Sequence, residues 1–156
     1  PGTRGGTAGR WWLLILGIAM IGAGVFKTNA ITDSTPSASN TLHTLFGALV
    51  ILTFPIAASL LAGSLNRNQD WAASRRQVVW MTVLTWVSMF AFFGSIIVSR
   101  MINPSAGRVG PDVFLGWPNR LMVTVYALWI IVVSLRLAAN AGEIASGLPA
   151  PSSKSS

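Results

Sequence analysis

The chain has 156 residues, of which 52% are hydrophobic and only 10% are charged, and its mean hydropathy is +0.59. Soluble domains carry about 25% charged residues, so this composition excludes a soluble globular protein, and the length suits one compact helical bundle. The absence of cysteine excludes disulfides and thiolate chemistry, and the net charge of +7 comes from basic residues scattered between apolar stretches, which excludes a nucleic-acid-binding patch.

Four apolar stretches predict membrane-spanning helices at about residues 10–27, 42–65, 77–99 and 119–139. Each stretch approaches or exceeds the roughly 20 residues that a helix needs to cross a bilayer. The sequence therefore predicts an all-α, polytopic transmembrane four-helix bundle with both termini on the same side. This membrane domain covers residues 10–141, between a flexible N-terminal segment at 1–9 and a disordered C-terminal tail at 142–156.

The first predicted span opens with an arginine and two tryptophans and then becomes rich in small residues. Arginine and indole rings favour the headgroup level, so Trp11 and Trp12 are predicted interface anchors. Small side chains allow helices to approach closely, either within the bundle or between two copies of the chain. The predicted packing residues are Gly17, Ala19, Gly22, Ala23 and Gly24, together with Gly47 in the second span.

A polar connection at residues 28–41 leads into the second span and contains Asp33. Asn40 or Thr41 is the predicted N-cap of the helix that follows. His43, the only histidine, lies one turn inside this span. Pro55 lacks a backbone N–H and predicts a kink, because its ring also clashes with the carbonyl four residues earlier.

The third span is dense in aromatic residues, which predicts either packing between helices or contact with a pigment or quinone. Trp80 is a predicted interface anchor, as are Trp117 before the fourth span and Trp129 within it. The connection between these spans is long and rich in glycine and proline, which predicts turns and favours a functional loop.

The second and fourth spans begin near the same membrane boundary and bring polar residues to one rim. Ionisable groups at membrane depth are functional candidates unless they reach water. His43 has three readings: a structural hydrogen bond to a loop carbonyl or to Asp33, a part in binding a polar ligand or proton, or a ligand to a metal or a chlorophyll-type pigment. The ligand-binding candidates are Asp33, His43, Asp112, Asn119 and Arg120.

The basic residues between the spans also predict an orientation. Seven of them fall on the side of the termini and four on the other side. Because cytoplasmic loops carry the excess of lysine and arginine, we expect the termini on the cytoplasmic side and the predicted rim site on the outer face.

The chain resembles a prokaryotic family catalogued as a domain of unknown function, DUF998, over about residues 11–137. The matching motifs are Gly22-Ala23-Gly24-Val25-Phe26, Thr32-Asp33, Leu42-His43 and Gly116-Trp117-Pro118-Asn119-Arg120. The resemblance implies a six-helix bundle of which this chain corresponds to the last four helices. It supports Asp33, His43 and Arg120 as a site and implies no reaction.

Two functions are consistent with these features. The first is a non-catalytic accessory or scaffold subunit of a larger membrane complex, photosynthetic or respiratory, which contacts lipid and other membrane subunits and no nucleic acid. The alternative is a protein or enzyme that binds a small ligand or lipid headgroup at the rim around Asp33, His43 and Arg120, with Arg120 holding an anion and His43 transferring a proton. The candidate cofactors are a chlorophyll-type pigment, a carotenoid, a quinone and lipid.

Overall fold

The structure is a computed structural model that describes residues 4–29, 35, 37–102 and 116–146. Its four long helices are α1 (Arg4–Val25), α2 (Ala38–Leu65), α3 (Arg75–Ile102) and α4 (Gly116–Ser146), with a short 3-10 helix at Gln69–Ser74 between α2 and α3. All four long helices are long and apolar enough to cross a membrane. The predicted all-α four-helix membrane bundle is therefore confirmed.

The helices extend beyond the predicted spans at several ends. Helix α1 begins at Arg4, inside the segment predicted to be flexible, and α4 continues to Ser146, inside the predicted tail. The cap of α2 is Ser37, whose side chain accepts a hydrogen bond from the Asn40 N–H. Asn40 and Thr41 therefore do not cap this helix, because it begins several residues earlier than the apolar stretch does.

Successive helices run antiparallel and bring the start of α1 and the end of α4 to one end of the bundle. Gly9 lies against Leu61, so the start of α1 is beside the end of α2. Arg136 donates a hydrogen bond to the Gln77 side chain over 3.2 Å, so the end of α4 is beside the start of α3. We call this the termini end, and the end that holds residues 26–43, 100 and 116–120 the opposite end.

Large apolar side chains cover the outside of the bundle, and several hydroxyl groups lie inside it. Ile21 is 68% exposed and Met101 is 77% exposed, whereas Thr85 is fully buried. The Thr82 and Thr85 hydroxyls donate to the carbonyls of Val78 and Thr82 on their own helix, over 2.8 and 2.7 Å. Exposed apolar and paired polar groups are the arrangement that lipid requires, because no water can satisfy a free polar group there.

The centre of the bundle is an aromatic cluster of Phe54, Tyr126 and Trp129. The Phe54 ring stacks on Tyr126 with centroids 4.2 Å apart and meets Trp129 edge-on at 5.8 Å. Trp129 is 1% exposed, and its Nε1–H donates to the Thr82 hydroxyl over 2.9 Å. The prediction that Trp129 is an interface anchor is therefore wrong, because its indole N–H has a partner inside the bundle.

Pro55 in α2 leaves one helix carbonyl without its usual donor, and a residue of α4 replaces that donor. A proline at position 55 cannot donate to the carbonyl of Ile51, four residues earlier. The Tyr126 hydroxyl donates to that oxygen over 3.0 Å. Pro55 itself is buried, so this hydrogen bond satisfies a polar group that water cannot reach.

The substitution Tyr126→Phe is expected to lower the free energy of unfolding by about 1 kcal/mol, because it leaves the Ile51 carbonyl unpaired in the apolar interior. Reversible unfolding in mixed micelles, followed by circular dichroism, measures the change. In a Pro55→Ala background the helix regains an N–H for Ile51, so the same substitution should cost clearly less. An equal cost in both backgrounds would contradict this explanation.

Helices α1 and α2 form the closest pair because small residues face large ones. A β carbon on Gly22 would lie 2.8–2.9 Å from three ring atoms of Phe46, and one on Gly9 would lie 2.6 Å from Leu61 Cγ. Ala19 is buried as well. By contrast, β carbons on Gly17, Gly24 and Gly47 would meet nothing within 4 Å. The packing role of those three glycines stays a prediction.

Candidate functional site

The His43 side chain contacts backbone carbonyl groups at the end of α1. Its Nδ1 atom lies 2.8 Å from the Ala23 carbonyl oxygen and 3.0 Å from that of Phe26. Because carbonyl oxygens only accept, these partners assign the proton to Nδ1, and Nε2 keeps a lone pair in the neutral ring. The contact matches the structural reading of His43, with helix-end carbonyls in the place of a loop carbonyl. The ligand, metal and pigment readings stay predictions.

A group of polar contacts close to His43 in the sequence joins the residues that follow α1 to the start of α2. The Asn29 backbone N–H donates to the Asn40 side chain over 3.1 Å, and the Asn29 amide donates to the Thr35 carbonyl over 2.7 Å. Lys27 and Ser39 exchange two hydrogen bonds, over 2.8 and 3.0 Å. These bonds satisfy the free carbonyls and N–H groups at the two helix ends, which gives the polar residues of this connection a structural role.

Among the described residues, no hydrogen bond or ring contact joins the other predicted rim residues to His43. Arg120 is exposed, and its guanidinium carbon lies 5.8 Å from the ring centroid of Trp117, within the range of a cation–π contact. Asn119 is also exposed. Asp33 and Asp112 lie outside the described residues. The predicted rim site therefore stays a prediction, with His43 held by α1 and Arg120 beside Trp117.

The predicted interface tryptophans differ in exposure. Trp11, Trp80 and Trp117 are 57–68% exposed, as an anchor at the headgroup level requires, and Trp12 is half-buried. These four remain predicted anchors. Within the described residues, no group of three or more His, Cys, Asp or Glu side chains could hold a metal ion.

A cleft of about 350 Å³ lies between α1 and α4 at the termini end, and sequence reasoning missed it. Its lining comes from positions within 6–13 of α1, 61–65 of α2 and 129–137 of α4, with Asn68 and Trp71 from the turn between α2 and α3. We call it the α1/α4 cleft. The volume falls at the lower end of the range of about 300–1,000 Å³ typical of small-molecule sites.

The polarity of the α1/α4 cleft changes from its rim to its inner side. The buried indoles of Trp71 and Trp129 lie on the inner side, with the half-buried Leu13 and Leu61. The rim carries exposed polar side chains, of which Arg10 is the one charged group among the lining residues. The lining positions span eight residues of α1 (6–13) and nine residues of α4 (129–137), or about 10–12 Å at 1.5 Å per residue. The cleft can therefore hold a molecule with a polar head and a short apolar segment.

The sequence indicates this cleft only through a set of lining residues at helical spacing. Gly6, Arg10 and Leu13 recur on one face of α1. That pattern does not say which helix lies opposite, and α4 is more than 100 residues away along the chain. The cleft therefore becomes visible only when the helices are assembled.

In a comparison with protein-family models, the chain matches a model described as "Protein of unknown function (DUF998)" over residues 1–136. No curated protein and no solved structure matches the chain.

Proposed function

The chain belongs to the DUF998 family of proteins of unknown function, and on that premise we propose that this membrane protein binds an amphiphilic small molecule in the α1/α4 cleft and does not itself catalyse a reaction. The observation that carries the proposal is the cleft of about 350 Å³, which has an apolar inner side and a polar rim. Ligand sites in membrane bundles commonly lie between helices, and they combine apolar walls with a few polar groups.

The position of the cleft supports access from the membrane. Helix α1 packs mainly on α2, and α3 packs mainly on α4, so α1 and α4 make only weak contact with each other. A molecule dissolved in the bilayer can therefore enter between α1 and α4 without breaking a helix pair. The Arg10-Trp11-Trp12 sequence at the cleft also fits a location at the headgroup level.

Native mass spectrometry of the protein extracted in mild detergent tests this function. We expect one small-molecule adduct per chain, and its mass and absorption spectrum distinguish a lipid, a quinone and a pigment. The substitution Ile130→Trp, at an exposed position lining the cleft, should fill the space and remove the adduct. The matched control is Ile131→Trp, at an adjacent exposed position outside the lining, and it should keep the adduct.

Two outcomes would contradict the proposal: no adduct on the wild-type chain, or an adduct that Ile130→Trp and Ile131→Trp leave equally bound. If a second protein chain co-purifies in place of a small molecule, the accessory or scaffold subunit becomes the better function. The observation that favours this second candidate is the open space beside Gly17 and Gly24 on α1, because small residues on a membrane helix commonly face another helix.

We also infer that the termini end faces the cytoplasm. Among the described side chains, that end carries five arginines (Arg10, Arg67, Arg75, Arg76 and Arg136) and one aspartate (Asp70), whereas the opposite end carries Lys27, Arg100 and Arg120. The excess of basic residues supports the cytoplasmic side.

Single cysteines test this orientation, since the chain has none of its own. Thr35 lies at the opposite end and Ala73 at the termini end, and both are exposed. On intact cells, an impermeant thiol reagent should label the Thr35→Cys variant at once and the Ala73→Cys variant only after permeabilisation. The reverse pattern would contradict the orientation.

A further inference from the structure

We propose that the ligand of the α1/α4 cleft carries an anionic head, a phosphate or a carboxylate, and that Arg10 is the residue that recognises it. This inference deepens the proposed function and rests on it. The amphiphile would place its charged head at the rim and the first part of its apolar chain between α1 and α4.

The first observation is that the Arg10 side chain is available to bind a molecule in the cleft. Its side chain is exposed at the rim, and it makes no hydrogen bond or ion pair with any other residue in the described ranges. By comparison, Arg75 donates to the Asn66 carbonyl and Arg136 to the Gln77 side chain. The guanidinium of Arg10 therefore keeps its donors for a molecule in the cleft. A guanidinium matches the geometry of a phosphate or carboxylate, because two parallel N–H groups can bind two oxygens at once.

The second observation is the charge around the cleft. The charged side chains that the structure describes at the termini end are five arginines and one aspartate, Asp70. Asp70 lies in the 3-10 helix and is not among the lining residues. The positive potential of this end favours an anionic head over a neutral or cationic one. The start of α1, where the helix dipole is positive, lies at the same rim and acts in the same direction.

The third observation is the set of neutral polar groups beside Arg10. Thr7 lies one turn before Arg10 on α1, and Asn68 and Ser134 face the cleft from the other two walls. All three side chains are exposed, and each offers donors to the oxygens of an anionic head. No carboxylate is present among the lining residues. The rim therefore offers donors around one cation, as recognition of an anion requires.

The length of the cleft limits how much of the ligand's apolar chain can lie inside it. The lining spans about 10–12 Å along the helices, and Trp129 and Val133 close the inner side. A head group and the beginning of one chain fill this length, and the remainder of a longer chain would lie in the bilayer. Either a membrane phospholipid or a free single-chain acid or phosphate supplies this chemistry.

Competition between single-chain probes of equal length tests the inference. Native mass spectrometry compares the binding of dodecyl phosphate, dodecylphosphocholine and dodecyltrimethylammonium to the purified chain. We expect dodecyl phosphate to bind best, and Arg10→Gln to weaken its binding about tenfold, which corresponds to the loss of one charge-assisted hydrogen bond. Dodecyltrimethylammonium has no anionic group, so it should not bind more weakly to Arg10→Gln than to the wild-type chain, and an unchanged circular dichroism spectrum shows that the variant is folded.

The matched control is Arg67→Gln, an exposed arginine at the same end that does not line the cleft. It should leave the preference for dodecyl phosphate within about twofold, since a screened surface charge contributes little at a distance. Arg10→Lys should keep part of the preference, because lysine retains the charge and loses the paired N–H groups.

The outcomes separate this inference from the proposed function. If no probe binds the wild-type chain, the proposed function fails. If all three probes bind and Ile130→Trp removes them, but Arg10→Gln leaves the preference for dodecyl phosphate unchanged, only the recognition by Arg10 is overturned. The mass of the adduct retained from native membranes distinguishes a two-chain phospholipid from a single-chain acid or phosphate.

Discussion

The substitution Trp129→Ala is expected to lower the free energy of unfolding by about 3 kcal/mol, the largest effect of the substitutions considered for this protein. Trp129 is 1% exposed at the centre of the bundle, where it contacts Phe54 edge-on and donates a hydrogen bond to Thr82. In lipid, the loss comes from the void and the missing packing contacts rather than from transfer out of water.

Unfolding in mixed micelles, followed by circular dichroism, measures this change. Trp80→Ala is the matched control, because Trp80 is 57% exposed on the outside of α3. It removes the same side chain and should change the free energy of unfolding by less than about 0.5 kcal/mol. If the two substitutions have equal effects, Trp129 is not part of the folded core.

The Trp129→Phe variant separates packing from hydrogen bonding. Phenylalanine retains most of the ring contact with Phe54 and removes the N–H donor to Thr82. The expected cost is about 1–2 kcal/mol, the sum of one hydrogen bond and a small loss of volume. Since Trp129 also lines the α1/α4 cleft, the alanine variant should enlarge that cleft and admit bulkier amphiphiles.

The substitution Gly22→Ala is expected to lower the free energy of unfolding by about 1–3 kcal/mol, because it overpacks the contact between α1 and α2. The added β carbon would lie 2.8–2.9 Å from three ring atoms of Phe46, well inside the 3.5–4.0 Å of a favourable carbon contact. The Phe46 ring cannot turn away freely, because it stacks on Phe26 with centroids 5.8 Å apart.

Gly17→Ala on the same helix is the control for Gly22→Ala. Its β carbon would meet nothing within 4 Å, and alanine is favoured over glycine in a helix by about 1 kcal/mol, so this variant should be neutral or slightly more stable. Adding Phe46→Leu to the Gly22→Ala variant should recover part of the loss. If Gly22→Ala is as harmless as Gly17→Ala, the close approach of α1 to α2 is not present in the membrane.

The fold class could be predicted from sequence because the relevant signal is local. A stretch of about 20 apolar residues must become a helix in lipid, where every backbone polar group needs a partner within its own segment. The four helices follow directly from that requirement. The exact helix ends were less predictable, since Ser37, Arg4 and Ser146 lie outside the apolar stretches, and hydrogen bonding rather than hydropathy extends a helix to such positions.

The predicted rim site depends on side-chain contacts that the spacing of residues does not define. The sequence places His43 and Arg120 near the same boundary, and both lie at the opposite end of the bundle. It does not say that the His43 ring turns toward the carbonyls of Ala23 and Phe26, 17–20 residues earlier in the chain. A side chain's hydrogen-bond partner depends on how two helices are rotated against each other, which the spacing of residues alone does not define.

The sequence by itself determined that the helices lie in a membrane, how many long helices there are and where the connections fall. These features depend on the local balance of apolar and charged residues. Only the tertiary structure decided that Trp129 lies inside while Trp80 lies outside, and that Arg10 stands at the rim of a cleft opposite α4. The physical reason is that lipid and the bundle interior are equally apolar. Helices that are apolar on all sides carry little information about which face turns inward, so packing decides it.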